Sequence, residues 1–156
     1  MRLDQIIKME FINADLSAKT KTEALTELVH TINRCGFKLD SSSIIKILQQ
    51  RENLGSTGIG DGVAIPHGKI PDLDDLIVAF GRSTEGIAYD SLDGKTVHLF
   101  FLLLAPENSA GQHLKVLAKI SKMLKIANFR KMLLKAKTQN DIYKIIINQE
   151  NTCILS

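Results

Sequence analysis

An apolar run in the second half of the chain, Val97–Leu104 (VHLFFLLL), sets the first limit on the fold. A strand that is apolar on both faces is typical of the centre of a sheet covered by helices on both sides. Two shorter runs, Val63–Ile65 and Leu76–Gly81, also predict strands. Because helical patterns surround all three runs, the sequence predicts an α/β fold.

Helices are predicted where capping residues or apolar spacing occur. The first follows Thr20-Lys-Thr-Glu23, which has the form of a capping box, and continues to Cys35 before Gly36 ends it. Cys35 is predicted to lie on its apolar face, as a core residue rather than a nucleophile. The other helices are predicted from Ser41–Ser43 to Arg51–Glu52, from Asn108 or Ser109 to about Lys125 (with Leu114, Leu117, Ile120 and Leu124 inward), from about Asn128, and from the cap at Thr138–Asp141.

The length and composition fit one globular domain spanning residues 1–156, with 44% apolar and 24% charged residues. No apolar run approaches the roughly 20 residues that cross a bilayer. The segment Met1–Phe11 lacks the long apolar stretch of a secretory signal. Two cysteines give no disulfide framework. We therefore expect a cytoplasmic protein that does not insert into membranes.

Charge is unevenly distributed, with 11 Lys and Arg against 15 Asp and Glu in residues 1–109, and 9 against 2 in residues 110–156. The basic third is either an ordinary solvated helical surface or a face that meets an acidic partner or a polyanion. The second interpretation makes the chain a non-catalytic polyanion-binding module that uses Lys115, Lys119, Lys122, Lys125, Arg130 and Lys131. These residues lack the regularly interleaved aromatic rings that stack on nucleic-acid bases, which argues against nucleic acid as a partner.

Among the four histidines, His67 has the most informative surroundings. It follows Pro66, which biases Ile65 toward an extended conformation, and it precedes Gly68, which permits close approach. The preceding segment Asn53–Gly62 (NLGSTGIGDG) is predicted to be a loop whose N–H groups and hydroxyls could cradle an anion. Alone, Ile-Pro-His is more often a structural turn. Beside such a loop, a neutral imidazole at a strand end is placed to attack phosphorus.

Two other residues have suitable chemistry and positions. His113 falls in the first turn of the third long helix, where the helix dipole disfavours a charged imidazole, so a neutral ring could donate to a phosphoryl oxygen. A surface position near a helix cap is the alternative. Arg51, just before the loop, could brace a phosphoryl group or simply serve the helix C-terminus. His30 is predicted to be solvated, and His98 to be a satisfied core or edge residue.

Several other chemistries lack their motifs. The loop does not end in the Gly-Lys-Ser/Thr of a nucleotide P-loop, and the chain has no Gly-x-Ser-x-Gly elbow. It also has no His-Glu-x-x-His and no Cys-x-x-Cys, so no metal is expected. No cofactor is expected either.

The segment Arg51–Lys69 (RENLGSTGIGDGVAIPHGK) resembles the active-site signature of enzyme IIA proteins of the bacterial phosphotransferase system. It is similar to the fructose/mannitol type, and most of all to the nitrogen-regulatory branch. The similarity extends to Leu92–Gly94, to the strand end Ala105–Pro106 and to His113-Leu114 at a helix start. The resemblance implies a single mixed β-sheet flanked by helices on both sides.

The resemblance also implies roles for individual residues. His67 matches the histidine that is phosphorylated on Nε2, His113 the second active-site histidine, and Arg51 the basic residue close to the phosphate. The polar phosphate-binding loop is matched by Ser56, Thr57 and Gly58. The family further implies a small histidine-containing phosphocarrier as the donor, which receives its phosphate from phosphoenolpyruvate through enzyme I.

Two downstream roles follow from the resemblance. No cysteine-bearing B domain or membrane domain follows before Ser156. We therefore expect a free-standing carrier that regulates a target through its phosphorylation state. The alternative is a sugar-specific protein that passes the phosphoryl group to a cysteine of a separate EIIB protein.

Overall fold

The computed structural model describes residues 1–155, and the side chains of all of these except Ala110, Ile154 and Leu155. Within these residues six strands form one sheet: β1 Ile12–Asn13, β2 Gly58–Gly60, β3 Val63–Ala64, β4 His67–Ile70, β5 Ile77–Ile87 and β6 Val97–Pro106. The same part of the chain forms five α-helices: α1 Lys21–Asn33, α2 Ser41–Asn53, α3 Ala110–Leu124, α4 Ala127–Lys135 and α5 Gln139–Leu155. Short 3₁₀ turns at Leu3–Gln5 and Met9–Phe11 precede β1.

The apolar run forms β6, the central strand of the sheet. It pairs antiparallel with β5 on one side and parallel with both β3 and β4 on the other. The strand order is β1-β5-β6-β3-β2, and β4 lies on the same side of β6 as β3. The sheet is therefore mixed, and the predicted α/β fold is confirmed.

Alternate side chains of β6 enter two separate cores, as the alternation of a strand requires. On one face Leu99, Phe101 and Leu103 pack with buried residues of α3, α4 and α5. On the other face Phe100, Leu102 and Leu104 pack with buried residues of α1 and α2. Helices cover both faces of the sheet, which explains why β6 is apolar on both sides.

The start and end of α1 differ in detail from the prediction. The Thr20 hydroxyl accepts the Glu23 N–H at 3.2 Å, as a capping box requires. The Glu23 carboxylate, however, accepts the Lys19 N–H at 3.2 Å, so the reciprocal bond is displaced by one residue. The helix ends at Asn33, and Cys35 in the following turn is exposed. The prediction of a core position for Cys35 was wrong because the helix ends before reaching it.

The buried face of α3 differs from the prediction at one position. Leu114, expected to face inward, is 63% exposed. Ile120 and Leu124 are buried as predicted, and Leu117 is half-buried against the same core. The error is therefore confined to the first turn, where His113 is buried and Leu114 is not.

The glycine-rich segment is not a loop throughout. Gly58 and Gly60 belong to β2, which pairs antiparallel with β3. A Cβ on Gly58 would lie 3.0 Å from the backbone and side chain of Ser91, so this contact excludes larger residues. Gly62 has a φ of +75°, which favours glycine. The segment forms a tight hairpin that leads the chain back along β6 toward His67.

Candidate functional site

His67 is the first residue of β4. Both β3 and β4 pair with β6, and Pro66 lies in the short break between them. His67 pairs in register with Leu103 of β6. Its side chain is half-buried, so core residues do not enclose it. The Nδ1 atom lies 2.8 Å from the Ile65 carbonyl oxygen. Because a carbonyl can only accept, Nδ1 carries the proton and Nε2 keeps the lone pair.

His113 lies close to His67, as expected for two residues of one site. The ring centres are 5.4 Å apart, and the ring planes meet at 57°. The His113 ring is buried, with 7% of the residue exposed. Its Nδ1 has no hydrogen-bond partner within the described residues. The first turn of α3 thus presents one imidazole to the other.

Both imidazoles are held in the neutral form. Burial lowers the pKa of His67, and the positive charge of Arg51 lowers it further. The hydrogen bond to Ile65 and the charge of Glu52 act in the opposite direction. Burial also lowers the pKa of His113, with smaller contributions from His67 and Lys69. A neutral His67 is the form that can act as a nucleophile.

Arg51 lies in the last turn of α2, beside the loop that precedes β2. Its guanidinium donates to the Gly55 carbonyl at 2.9 Å, which helps to close this loop. Its charge acts on the pKa of His67. Gly68 allows α2 to approach β4, since a Cβ there would lie 3.0 Å from Ile47 Cγ2. The packing of α2 on β4 therefore places the guanidinium close enough to lower the pKa of the imidazole.

The predicted phosphate-binding loop has internal partners for its hydroxyl groups. The Ser56 hydroxyl donates to the Tyr89 carbonyl at 3.2 Å and accepts the Gly58 N–H at 3.0 Å. The Thr57 hydroxyl is buried and donates to the Glu52 carboxylate. These bonds give Ser56, Thr57 and Gly58 a role in shaping the loop. Direct binding of phosphate by the three residues stays a prediction.

Sequence reasoning did not find Lys21 and Tyr89, which join this cluster from α1 and from the segment after β5. The Lys21 ammonium lies 3.3 Å from the Glu52 carboxylate and 4.7 Å from the centre of the Tyr89 ring. Neither residue has a local sequence signal that links it to the site. Glu52 is thus buried and paired with a cation from α1.

The other histidines lie where the sequence predicts. His30 is exposed on α1. His98 is half-buried, and its Nδ1 donates to the Ser83 carbonyl at 2.9 Å. No three His, Cys, Asp or Glu side chains of the described residues are grouped as metal ligands. None of the described helices combines the length and the apolar character needed to cross a membrane.

Two members of the predicted basic face have internal partners. Lys119 pairs with Glu150 at 2.8 Å, and Arg130 donates to the Leu124 carbonyl at 2.8 Å. These two cations serve the fold. A polyanion-binding surface would have to use the remaining lysines.

The chain is similar to several known proteins. The nitrogen regulatory protein of Bradyrhizobium diazoefficiens is 36% identical over 94% of this chain and 95% of its own length. The nitrogen regulatory protein of Pseudomonas aeruginosa is 33% identical over 97% of this chain and 98% of its own length. The fructose-specific EIIABC component of Bacillus subtilis is 34% identical over 94% of this chain, which spans only 23% of that longer protein.

Solved structures agree with these relatives. The crystal structure of nitrogen regulatory protein IIA-Ntr from Neisseria meningitidis superposes with a TM-score of 0.86 at 33% identity, covering 92% of this chain and 98% of that one. Enzyme IIA for mannitol from Escherichia coli, at 20% identity, has the same fold with a TM-score of 0.74, covering 89% of this chain and 97% of that one. Residues 5–149 match the family described as phosphoenolpyruvate-dependent sugar phosphotransferase system, EIIA 2. The chain belongs to this EIIA type 2 family of the phosphotransferase system.

Proposed function

We propose that this chain, acting as a single cytoplasmic domain, accepts a phosphoryl group on Nε2 of His67 from a histidine-containing phosphocarrier. Its phosphorylation state then regulates a target protein, as the names of the nitrogen regulatory relatives suggest. One observation supports this most directly: the Nδ1–H of His67 is bonded to Ile65, so the lone pair of a neutral ring lies on Nε2.

The chemistry requires little beyond positioning and charge stabilisation. The Nε2 lone pair of His67 forms the new bond to phosphorus as the donor's P–N bond breaks. The electron pair of that bond returns to the donor imidazole. The Nδ1 proton stays on the ring and remains hydrogen-bonded to the Ile65 carbonyl.

Arg51 and His113 have complementary roles in this proposal. The guanidinium stabilises the negative charge on the phosphoryl oxygens as they approach. The ring of His113, neutral and 5.4 Å from that of His67, donates a hydrogen bond to the same group. Because His113 is uncharged, it adds no charge that would titrate beside the phosphoryl group, and the phosphoryl group can still be transferred.

Exposed apolar side chains near the site support a protein as the donor. Leu54 is 86% exposed in the loop after Arg51, and Leu114 is 63% exposed next to His113. Leu92 is 75% exposed, and its N–H donates to the Gly58 carbonyl at 3.0 Å, which places it beside β2. Large apolar residues around a polar centre are a common mark of protein–protein contact.

Phosphorylation in vitro tests the proposal. Incubation with phosphoenolpyruvate, enzyme I and the phosphocarrier should give one acid-labile, alkali-stable phosphate on the wild type and none on His67→Ala. His113→Ala should accept the phosphate about 10²-fold more slowly, because one donor to the phosphoryl group is lost. His30→Ala, which changes an exposed histidine, is the matched control and should react at the wild-type rate. Labelling of His67→Ala would disprove the site.

A transport role is the second candidate, favoured by the similarity to the fructose-specific EIIABC component. His67 would then pass the phosphoryl group to a cysteine of an EIIB protein. A reconstituted mixture with candidate EIIB proteins distinguishes the two roles. Phosphate on an EIIB cysteine supports transport, and its absence with every candidate supports regulation.

A further inference from the structure

A buried carboxylate lies next to Arg51, at the end of α2. The side chain of Glu52 is 4% exposed and pairs with the Lys21 ammonium at 3.3 Å. It accepts the Thr57 N–H at 3.1 Å and also the Thr57 hydroxyl. A carboxylate is retained in such a position only if charged and hydrogen-bonding partners compensate for its lost hydration. Most of these partners belong to Thr57, so the carboxylate fixes the place of this residue.

Backbone hydrogen bonds continue from Thr57 to the reacting ring. The Thr57 carbonyl accepts the Ile65 N–H at 3.0 Å. The Ile65 carbonyl in turn accepts the Nδ1–H of His67 at 2.8 Å. Three hydrogen bonds therefore connect the Glu52 carboxylate with Nδ1 of His67 through two intervening residues. We call this series of contacts the Glu52–His67 chain.

Neighbouring side chains prevent the Thr57 end of the chain from shifting. The Tyr89 hydroxyl lies 3.2 Å from Thr57 Oγ1, and the Tyr89 side chain is fully buried. Burial and the charge of Glu52 raise the pKa of Tyr89, so its hydroxyl keeps its proton. Thr57 is thus held by residues from α2 and from the segment after β5.

We infer that Glu52 is a positioning residue: through Thr57 it holds the Ile65 carbonyl in place, and so keeps the proton of His67 on Nδ1 and the nucleophilic lone pair on Nε2. The inference rests on the proposed function, because it concerns the same imidazole. A neutral imidazole without a fixed acceptor exchanges between two N–H tautomers, and only one of them has a lone pair at Nε2. Glu52 itself does not touch the phosphoryl group.

Glu150 supplies a matched control, since its side chain is fully buried and also binds a backbone N–H and a lysine. It accepts the Leu3 N–H at 2.6 Å and the Lys119 ammonium at 2.8 Å. Glu150 is not part of the Glu52–His67 chain. Glu52→Ala and Glu150→Ala therefore remove comparable buried carboxylates from different parts of the fold.

The experiment reads the tautomer of His67 directly in protein labelled with ¹⁵N-histidine. Long-range ¹H–¹⁵N correlation spectra are recorded at about pH 8, where imidazole is neutral. The wild type and Glu150→Ala should show only the Nδ1–H form. Glu52→Ala should also populate the Nε2–H form and accept phosphate about 10-fold to 100-fold more slowly. Glu52→Gln should restore the Nδ1–H form, because its amide oxygen can still accept the Thr57 N–H.

Two results would overturn the inference. One is an unchanged tautomer in Glu52→Ala, and the other is the same change in Glu150→Ala. If Glu52→Ala does not fold, Glu52→Asp, which withdraws the carboxylate by one methylene, is measured in the same way. The tautomer is read without any phosphoryl donor. Failure of the inference is therefore distinct from failure of the proposed function, in which the wild type itself would not be phosphorylated.

Discussion

The pKa of His67 depends on two charged neighbours that follow one another in sequence. Arg51 lowers the pKa of the imidazole and Glu52 raises it, while burial has the largest effect. In the proposed mechanism, the end of α2 thus provides a cation for the phosphoryl group and an anion that does not touch it. The positive charge of Arg51 therefore acts on the imidazole, while the negative charge of Glu52 is bonded to Thr57 of the loop.

Arg51→Gln tests this balance. Loss of the guanidinium removes a charge that disfavours imidazolium, so the pKa of His67 should rise. Phosphate acceptance should nevertheless slow by about 10²-fold, since the charge on the phosphoryl oxygens loses its partner. NMR titration of the ring protons measures the first effect and single-turnover labelling the second.

Arg34→Gln is the control for this prediction, because Arg34 follows the last turn of α1 as Arg51 occupies the last turn of α2. Neither the titration of His67 nor the labelling rate should change in it. A fall in the pKa of His67 on removal of Arg51 would contradict the electrostatic assignment.

The elements show what the sequence could and could not determine. The run Val97–Leu104 predicted a central strand because burial on both faces leaves no polar position. His67 was predicted as the reactive residue because its neighbours form a contiguous segment. Tyr89, in contrast, reaches the site only through tertiary packing, and nothing in its local sequence marks it. Local patterns therefore identify elements and contiguous motifs, while contacts between distant segments require the fold.

The error in α3 has a specific cause. Leu114 has helical spacing with Leu117, Ile120 and Leu124, yet it is exposed, whereas His113 one residue before it is buried. The rest of the predicted stripe faces the core: Ile120 and Leu124 are buried, and Leu117 is half-buried. At the first position the sequence pattern favours the apolar residue over its polar neighbour. A buried site histidine is therefore missed at one position of the helix face.

The packing of α1 on the sheet depends on Gly81 in β5. A Cβ at this position would lie 2.8 Å from methyl groups of both Leu16 and Leu28, which are buried. Gly81→Ala should therefore lower the free energy of unfolding by about 1–3 kcal/mol through overpacking. Gly111→Ala is the control, since nothing lies within 4 Å of a Cβ in that helical position. There the free energy should rise by up to about 1 kcal/mol. Urea unfolding measures both, and an unchanged Gly81→Ala would contradict the close contact.

At the scale of the whole molecule, elements on both faces of the sheet contribute residues to the site. The α1–α2 face supplies Arg51 and Glu52, and the α3–α5 face supplies His113. β4 carries His67 at the edge where they converge. The site is therefore assembled by the tertiary fold, and its protonation is coupled to the stability of that fold.

The dependence of stability on pH should reveal this coupling. The pKa values of His67 and His113 are both lowered in the folded protein, from an ordinary value of 6.5. The unfolded chain consequently binds more protons than the folded one as the pH falls below about 6.5. Protonation then favours unfolding, so the free energy of unfolding should decrease between about pH 7 and pH 5.

Replacing both histidines by glutamine should make the decrease smaller. Replacing the exposed His30 by glutamine should leave it as in the wild type. Urea unfolding at a series of pH values supplies the comparison. Equal slopes in the wild type and the double variant would show that neither imidazole is held neutral by the fold, and the nucleophile would then lack the protonation state on which phosphoryl transfer depends.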